Sequence, residues 1–86
     1  SLRHQYVDFC AGLSERFYGK KLPDRFKNRL ADESTYSTTD KPSVYQEKVG
    51  DGFVTMAARK EAAGMTTLDV RFFPTEAEYK KYMDSE

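Results

Sequence analysis

The chain has 86 residues, which is enough for one small domain and too few for two. Phe and Tyr number six each, and Ile and Trp are absent. Leu, Val and Phe together supply only 16 residues, so aliphatic side chains are few and the predicted core is rich in aromatic rings. The 14 basic and 14 acidic residues cancel, which excludes the high net charge typical of disordered chains, and no run of about 20 apolar residues exists to cross a bilayer.

The first predicted element is an N-terminal helix. Gly19 follows it at a position where a left-handed glycine ends a helix, and Lys20 and Lys21 lie near the negative end of its dipole. Five apolar residues recur at intervals of three or four and share one helical face, which we expect to be buried: Leu2, Tyr6, Phe9, Leu13 and Phe17.

A second helix is predicted to begin at Pro23, because proline suits the first helical position, where no backbone N–H is needed. Phe26 and Leu30 share its inner face. The following segment, 34–41, is polar and is ended by Pro42. Its composition predicts a mobile loop.

Beyond Pro42 the apolar residues alternate with polar ones, which predicts strands over 44–49, 53–59 and 65–73. Gly50, Asp51 and Gly52 suit the turn between the first two. In the third strand, Leu68, Val70 and Phe72 alternate with Thr67, Asp69 and Arg71. This pattern indicates an antiparallel sheet that is covered on one side and wet on the other.

The segment 56–63 is ambiguous, because its alanines and the following Gly64 also suit a short helix. Alternation favours a strand that leads into a hairpin.

The last element is a helix with a clear start. Thr75 and Glu78 form a Thr-x-x-Glu capping box, and Tyr79, Tyr82 and Met83 then share a face at helical spacing. The expected fold is a single α+β domain over 1–86 with two N-terminal helices, a three-stranded antiparallel sheet and a C-terminal helix packed on one face.

Residues able to carry chemistry are few. His4 and Asp8 supply two ligands, and zinc needs three or four. Cys10 lies beside the apolar helical face, so we expect a buried, inert thiol. We therefore expect no enzyme, no cofactor and no metal, and a single cysteine favours a reducing, cytoplasmic compartment. An enzyme subunit completed by a partner chain is the third class of function considered.

The zero net charge conceals an asymmetry. Residues 1–30 carry seven basic and three acidic side chains, or +4, and residues 31–86 carry seven basic and eleven acidic, or −4. Opposed charge along a chain is typical of proteins that bind a charged partner. Unevenness that arises by chance in a small protein is the competing interpretation.

The basic and aromatic residues concentrate around the junction of the first two helices. The leading hypothesis is a small, intracellular, non-enzymatic protein-binding module, an accessory or inhibitory subunit that docks on a larger complex. We expect its partner to present an anionic protein surface, and we expect no membrane partner. The alternative is a nucleic-acid-binding module that uses segment 16–29, with phosphates held by the cations and bases stacked on exposed rings. The rings of Tyr18, Tyr36 and Tyr45 are expected to be exposed. The residues predicted to contact a partner are Tyr18, Lys20, Lys21, Arg25, Arg29 and Tyr36.

Overall fold

A computed structural model describes residues 2–61 and 63–85, with side chains from Gln5 onward. The predicted α+β class and element order are confirmed. A short 3₁₀ helix, Glu33–Thr35, follows the second helix, and no helix of the described residues is both long and apolar enough to span a membrane. The main elements in chain order are α1 (Leu2–Tyr18), α2 (Asp24–Ala31), β1 (Ser43–Val49), β2 (Gly52–Lys60), β3 (Thr66–Phe73) and α3 (Glu76–Asp84).

The three strands form an antiparallel sheet in the order β1-β2-β3, so β2 is central and the other two are edges. Val54 of β2 lies between Glu47 of β1 and Phe72 of β3. Because β2 continues to Lys60, the hairpin interpretation of segment 56–63 is confirmed as far as the strand extends. Ala62 lies outside the described residues.

Helices cover both faces of the sheet, which differs from the expected one-sided cover. The rings of Phe26 in α2 and Tyr45 in β1 stack 5.9 Å apart on one face, and Tyr18 in α1 packs on Phe72 of the same face. On the other face Tyr79 of α3 stacks 4.3 Å from Phe53. The C-terminal helix packs on one face, as predicted. The expectation that the other face of the sheet is wet was wrong because Phe53 and Phe73 place apolar rings on that face, and Tyr79 of α3 packs on both.

The core lies between the sheet and the pair α1 and α2. Phe26, Leu30 and Val54 are fully buried. The described buried apolar residues are Val7, Cys10, Leu22, Phe26, Leu30, Tyr36, Val49, Val54, Met56 and Ala58.

The expected inner face of α1 is wrong. Phe9 and Phe17 are each 54% exposed and Tyr6 is 36% exposed, whereas Cys10 and Ser14 are buried. Small side chains let the helix approach the core closely. The buried Ser14 hydroxyl is satisfied because it donates a 3.0 Å hydrogen bond to the carbonyl oxygen of Lys20.

Local start and stop signals are confirmed. Gly19 adopts φ 65° at the end of α1, and the Thr75 hydroxyl accepts the Glu78 backbone N–H at 3.2 Å at the start of α3. Pro23 precedes α2 by one residue. The segment expected to be a mobile loop begins with the 3₁₀ helix and is tied to β2, since Lys60 N–H donates to the Ser37 carbonyl oxygen at 2.7 Å.

Candidate functional site: a basic row along the first strand

Three cations from the end of α1 and from α2 lie in sequence along one edge of the sheet. The chain from residue 20 to residue 29 runs opposite in direction to β1, so each cation meets a different position of the first hairpin. We call this set the basic row: Lys20 beside Gly50, Arg25 beside Glu47, and Arg29 beside Tyr45.

Glu47 is the anchor of the basic row. Its carboxylate lies 2.5 Å from the Arg25 guanidinium and accepts a 2.7 Å hydrogen bond from the Tyr45 hydroxyl. The Glu47 side chain is only 10% exposed, whereas that of Arg25 is 82% exposed. This hydrogen bond raises the pKa of Tyr45, because ionising the phenol beside a carboxylate is unfavourable. Arg25 is therefore fixed at one end and open to solvent over most of its surface.

Arg29 is fixed by aromatic contact. Its guanidinium carbon lies 5.0 Å from the centre of the Tyr45 ring, within the range of a cation–π interaction. The other neighbour of that ring is the buried Phe26. Tyr45 thus links the basic row to the core.

A groove of about 370 Å³ opens between α2 and β1. Guanidinium and amide groups supply most of its hydrogen-bond donors. Asp32 is its one acidic side chain, and it already accepts hydrogen bonds from the Ser34 N–H and hydroxyl, which lower the pKa of Asp32. The lining residues are Arg25, Asn28, Arg29, Asp32, Thr35 and Tyr45.

The structure brings together part of the predicted contact set. Lys20, Lys21 and Arg25 are exposed, and Arg29 is partly so. Tyr36 is 5% exposed, and its hydroxyl donates to the carbonyl oxygen of Leu30. The expectation that the Tyr36 ring is exposed is therefore wrong. Its hydroxyl is satisfied within the fold, so burial is compatible with the polar group.

Tyr18 also turns inward. Its ring packs 5.9 Å from that of Phe72, and its hydroxyl donates a 2.6 Å hydrogen bond to the carbonyl oxygen of Phe53. Burial raises the pKa of Tyr18 to about 12. Tyr45, whose ring was expected to be exposed, is partly buried. The rings assigned to a partner instead hold the helices to the sheet.

Sequence reasoning missed Glu47, Asn28 and the role of Tyr45. No local pattern around Glu47 distinguishes it from the other acidic residues of the second half of the chain. Its position depends on pairing β1 with a helix more than 20 residues away, and only the tertiary structure provides that pairing.

A second groove, of about 330 Å³, lies on the opposite face between the sheet and α3. Its walls include Val44, Ala57 and Met83, and its charged residues Asp69 and Arg71 pair with each other at 3.2 Å. The lining contains no histidine, cysteine or serine. We do not assign chemistry to this groove.

Side chains with metal-binding chemistry do not cluster in the described residues. Cys10 is buried, as expected, and this burial raises the pKa of its thiol. The His4 side chain, considered above as a zinc ligand, lies outside the described residues. Between residues 5 and 85, apart from Ala62, no group of three His, Cys, Asp or Glu side chains is placed to hold a metal ion.

No protein-family model matches the chain, and no curated protein or solved structure shows significant similarity to it. The candidate surface therefore rests on its own geometry.

Proposed function

We propose that the chain is a non-enzymatic protein-binding module whose basic row holds an acidic, extended segment of a partner protein. The observation that carries this proposal is the alignment of three cations along one strand. From Gly50 to Tyr45 the strand rises about 17 Å, and the cations stand opposite positions 50, 47 and 45. Acidic side chains on one face of an extended segment recur about every 7 Å, which matches the interval from position 45 to position 47. The interval from position 47 to position 50 is about 10 Å, and the long side chain of Lys20 is flexible enough to meet an acid at the next repeat.

Fixed guanidinium groups favour carboxylates. Arg25 and Arg29 are held in place by Glu47 and Tyr45, so a ligand that binds them orders few side chains. A guanidinium presents five N–H donors in a fork that matches a carboxylate, and Glu47 uses only one side of Arg25. Lys20 and Lys21 add exposed positive charge at the end of the row.

A protein partner is favoured over nucleic acid for two reasons. First, Arg25 is already partly compensated by Glu47, and Lys27 by Asp24 at 3.3 Å, which weakens the positive field around α2. Second, Tyr18 and Tyr36, which would stack on bases, are engaged within the fold. Such a module acts as an accessory or regulatory subunit that docks on a larger complex.

Binding of a labelled eight-residue peptide of alternating Glu and Ser, measured by fluorescence anisotropy at low salt, tests the proposal. Replacing Lys20, Lys21, Arg25 and Arg29 together by Ala is expected to weaken binding at least tenfold. A matched variant replaces four exposed lysines elsewhere by Ala and is expected to change the affinity less than twofold: Lys41, Lys60, Lys80 and Lys81.

Three outcomes overturn the proposal. The first is equal affinity of the two quadruple variants for the acidic peptide, and the second is no binding of the peptide by the natural sequence. The third is binding of duplex or single-stranded oligonucleotides instead, with a log-log salt slope of about −3.6 for four phosphate contacts, which would support the nucleic-acid alternative.

A further inference from the structure

The outer side of α1 carries a stripe of exposed aromatic rings. Tyr6 is 36% exposed, and Phe9 and Phe17 are each 54% exposed, with the partly buried Leu13 between them. These four residues, which we call the α1 stripe, follow one another at intervals of three or four along one side of the helix. Three aromatic rings in one continuous exposed patch are typical of an interaction surface.

The strand β3 has an open edge beside this stripe. In the described part of the chain, β3 pairs only with β2, so about half of its backbone N–H and C=O groups face outward without a strand partner. Edge strands of this kind accept a further strand when nothing covers them.

The stripe and the open edge form one continuous surface. Phe17 stacks on Phe72 of β3, with ring centres 6.1 Å apart. Because α2 packs on β1 and Phe17 of the stripe packs on β3, the stripe lies toward the β3 edge of the sheet, and the basic row lies along the opposite edge.

We propose that this surface binds a second copy of the chain, with β3 of each copy paired antiparallel about a two-fold axis at Val70. The two sheets then join into one of six strands. Both α1 helices lie on the same face of the joined sheet. The two-fold symmetry places their stripes so that they face each other across the paired β3 strands.

Charge complementarity selects this register. Directly opposed residues of antiparallel strands lie on the same face, so a two-fold axis passes through a residue and pairs its neighbours with each other. Within each chain Asp69 and Arg71 already pair at 3.2 Å. An axis at Val70 places Asp69 of each copy opposite Arg71 of the other, so the two intrachain pairs join into one cluster of alternating charges. An axis at Asp69 or at Arg71 opposes two like charges, which is unfavourable. An axis at Leu68 brings Asp69 opposite Thr67 and forms no ion pair.

The Val70 register also matches the apolar face. It opposes Val70 to itself and Leu68 to Phe72, and aliphatic and aromatic cross-strand pairs of this type stabilise sheets. Phe72 already contacts Phe17 of the stripe. The apolar contacts between the two β3 strands therefore adjoin those between the two α1 helices.

The exposed rings supply more than half of the area that a specific contact needs. A fully exposed Phe or Tyr offers about 200 Å², so the exposed parts of the three rings give about 600 Å² in a pair of copies. The open edges of two eight-residue strands add to this, and specific interfaces exceed about 1,000 Å² in total. The chain carries no net charge, so two copies do not repel each other at long range.

Light scattering coupled to size exclusion, from about 5 to 200 μM protein, tests the pairing. The expected mass is twice 9.9 kDa. Asp69→Arg and Arg71→Asp are each expected to weaken dimerisation at least tenfold, because each opposes like charges across the axis. The double exchange Asp69→Arg with Arg71→Asp restores the ion pairs and is expected to restore the dimer.

The control exchanges an exposed pair on α3, Glu76→Lys with Lys80→Glu, and is expected to leave the mass unchanged. Circular dichroism confirms that each variant folds, and Phe9→Ser on the stripe provides an independent disruption. A monomer at every concentration overturns the proposal, as does a dimer that neither Asp69→Arg nor Phe9→Ser weakens.

Disulfide cross-linking checks the register. With the axis at Val70, Val70→Cys faces its own equivalent and forms a dimer under mild oxidation, whereas Leu68→Cys faces Phe72 and does not. Efficient cross-linking of Leu68→Cys without that of Val70→Cys excludes this register. These results are independent of the acidic-peptide measurement, because the two surfaces lie at opposite edges of the sheet.

Discussion

The Tyr18 hydroxyl donates a 2.6 Å hydrogen bond to the carbonyl oxygen of Phe53, and so joins the last turn of α1 to the start of β2. Thirty-five positions of sequence separate the two residues. The same ring packs on Phe72 of β3. One side chain therefore fixes the helix against two strands.

Replacing Tyr18 by Phe keeps the ring packing and removes this hydrogen bond. We expect the free energy of unfolding in urea to fall by about 1 kcal/mol, because the Phe53 carbonyl loses a partly buried donor. Tyr79→Phe is the control, since the Tyr79 hydroxyl forms no hydrogen bond within the described residues. Equal losses in the two variants would contradict this role for Tyr18.

Stability is expected to decline in alkali. Burial raises the pKa of Tyr18 to about 12, against about 10 in the unfolded chain, so the folded state holds the phenolic proton more tightly. The resulting stabilisation is complete below pH 10 and is lost as the pH rises from about 10 through 12. Urea titrations at a series of pH values measure it, and Tyr18→Phe should make the decline shallower. A parallel decline in both proteins would exclude Tyr18 as its source.

Replacing two glycines by alanine is expected to change the stability of the fold in opposite directions. A Cβ at Gly52 would lie 2.0 Å from the carbonyl oxygen of Phe73, so Gly52→Ala must displace backbone and is expected to cost more than about 2 kcal/mol. A Cβ at Gly12, within α1, meets no atom within 4 Å, so Gly12→Ala should stabilise by up to about 1 kcal/mol. Thermal melting compares them, and a tolerated Gly52→Ala would contradict the close contact.

The Arg25–Glu47 pair is expected to couple more strongly than an ordinary surface pair, because Glu47 is nearly buried. A double-mutant cycle with Ala at both positions should give a coupling of about 1 kcal/mol in unfolding experiments. The exposed pair Lys80 and Glu76 serves as the reference and should give less than about 0.5 kcal/mol. Similar couplings in both cycles would show that burial of Glu47 adds nothing.

The inward face of α1 can be checked by two truncations. Phe26→Ala removes a fully buried ring and is expected to cost about 3 to 5 kcal/mol. Phe9→Ala removes a ring that is half exposed and should cost less than about 1 kcal/mol in the Asp69→Arg background, where dimerisation does not contribute. Comparable losses would instead place Phe9 in the core, as its spacing predicts.

The features of the fold that could be predicted from the sequence are those set by interactions between neighbouring residues. Gly19, Thr75 and the alternation of β3 depend on neighbours within a few residues, and each gave a correct boundary or face. The prediction of the inner face of α1 was wrong because two sets of residues follow helical spacing on this helix, the exposed rings and a buried set that includes Cys10 and Ser14. Periodicity favoured the rings over Cys10 and Ser14, which are the buried side chains and whose small size lets α1 lie close to the core.

The candidate site was predicted only in part for the same reason. The sequence itself shows that basic residues are concentrated around Lys20 and Arg25. Their alignment along β1, and the inward turn of Tyr36, depend on contacts between distant segments. The sequence contains no local pattern that reports such contacts.

Glu47 has a further consequence for any ligand of the basic row. Its side chain lies 2.5 Å from the Arg25 guanidinium, so an acid that binds there must share the guanidinium with Glu47 or displace it. A single carboxylate would gain little from such an exchange. If the proposed function is right, a segment with several carboxylates would also reach Arg29 and Lys20, and competition from Glu47 would then favour multiply acidic partners over singly acidic ones.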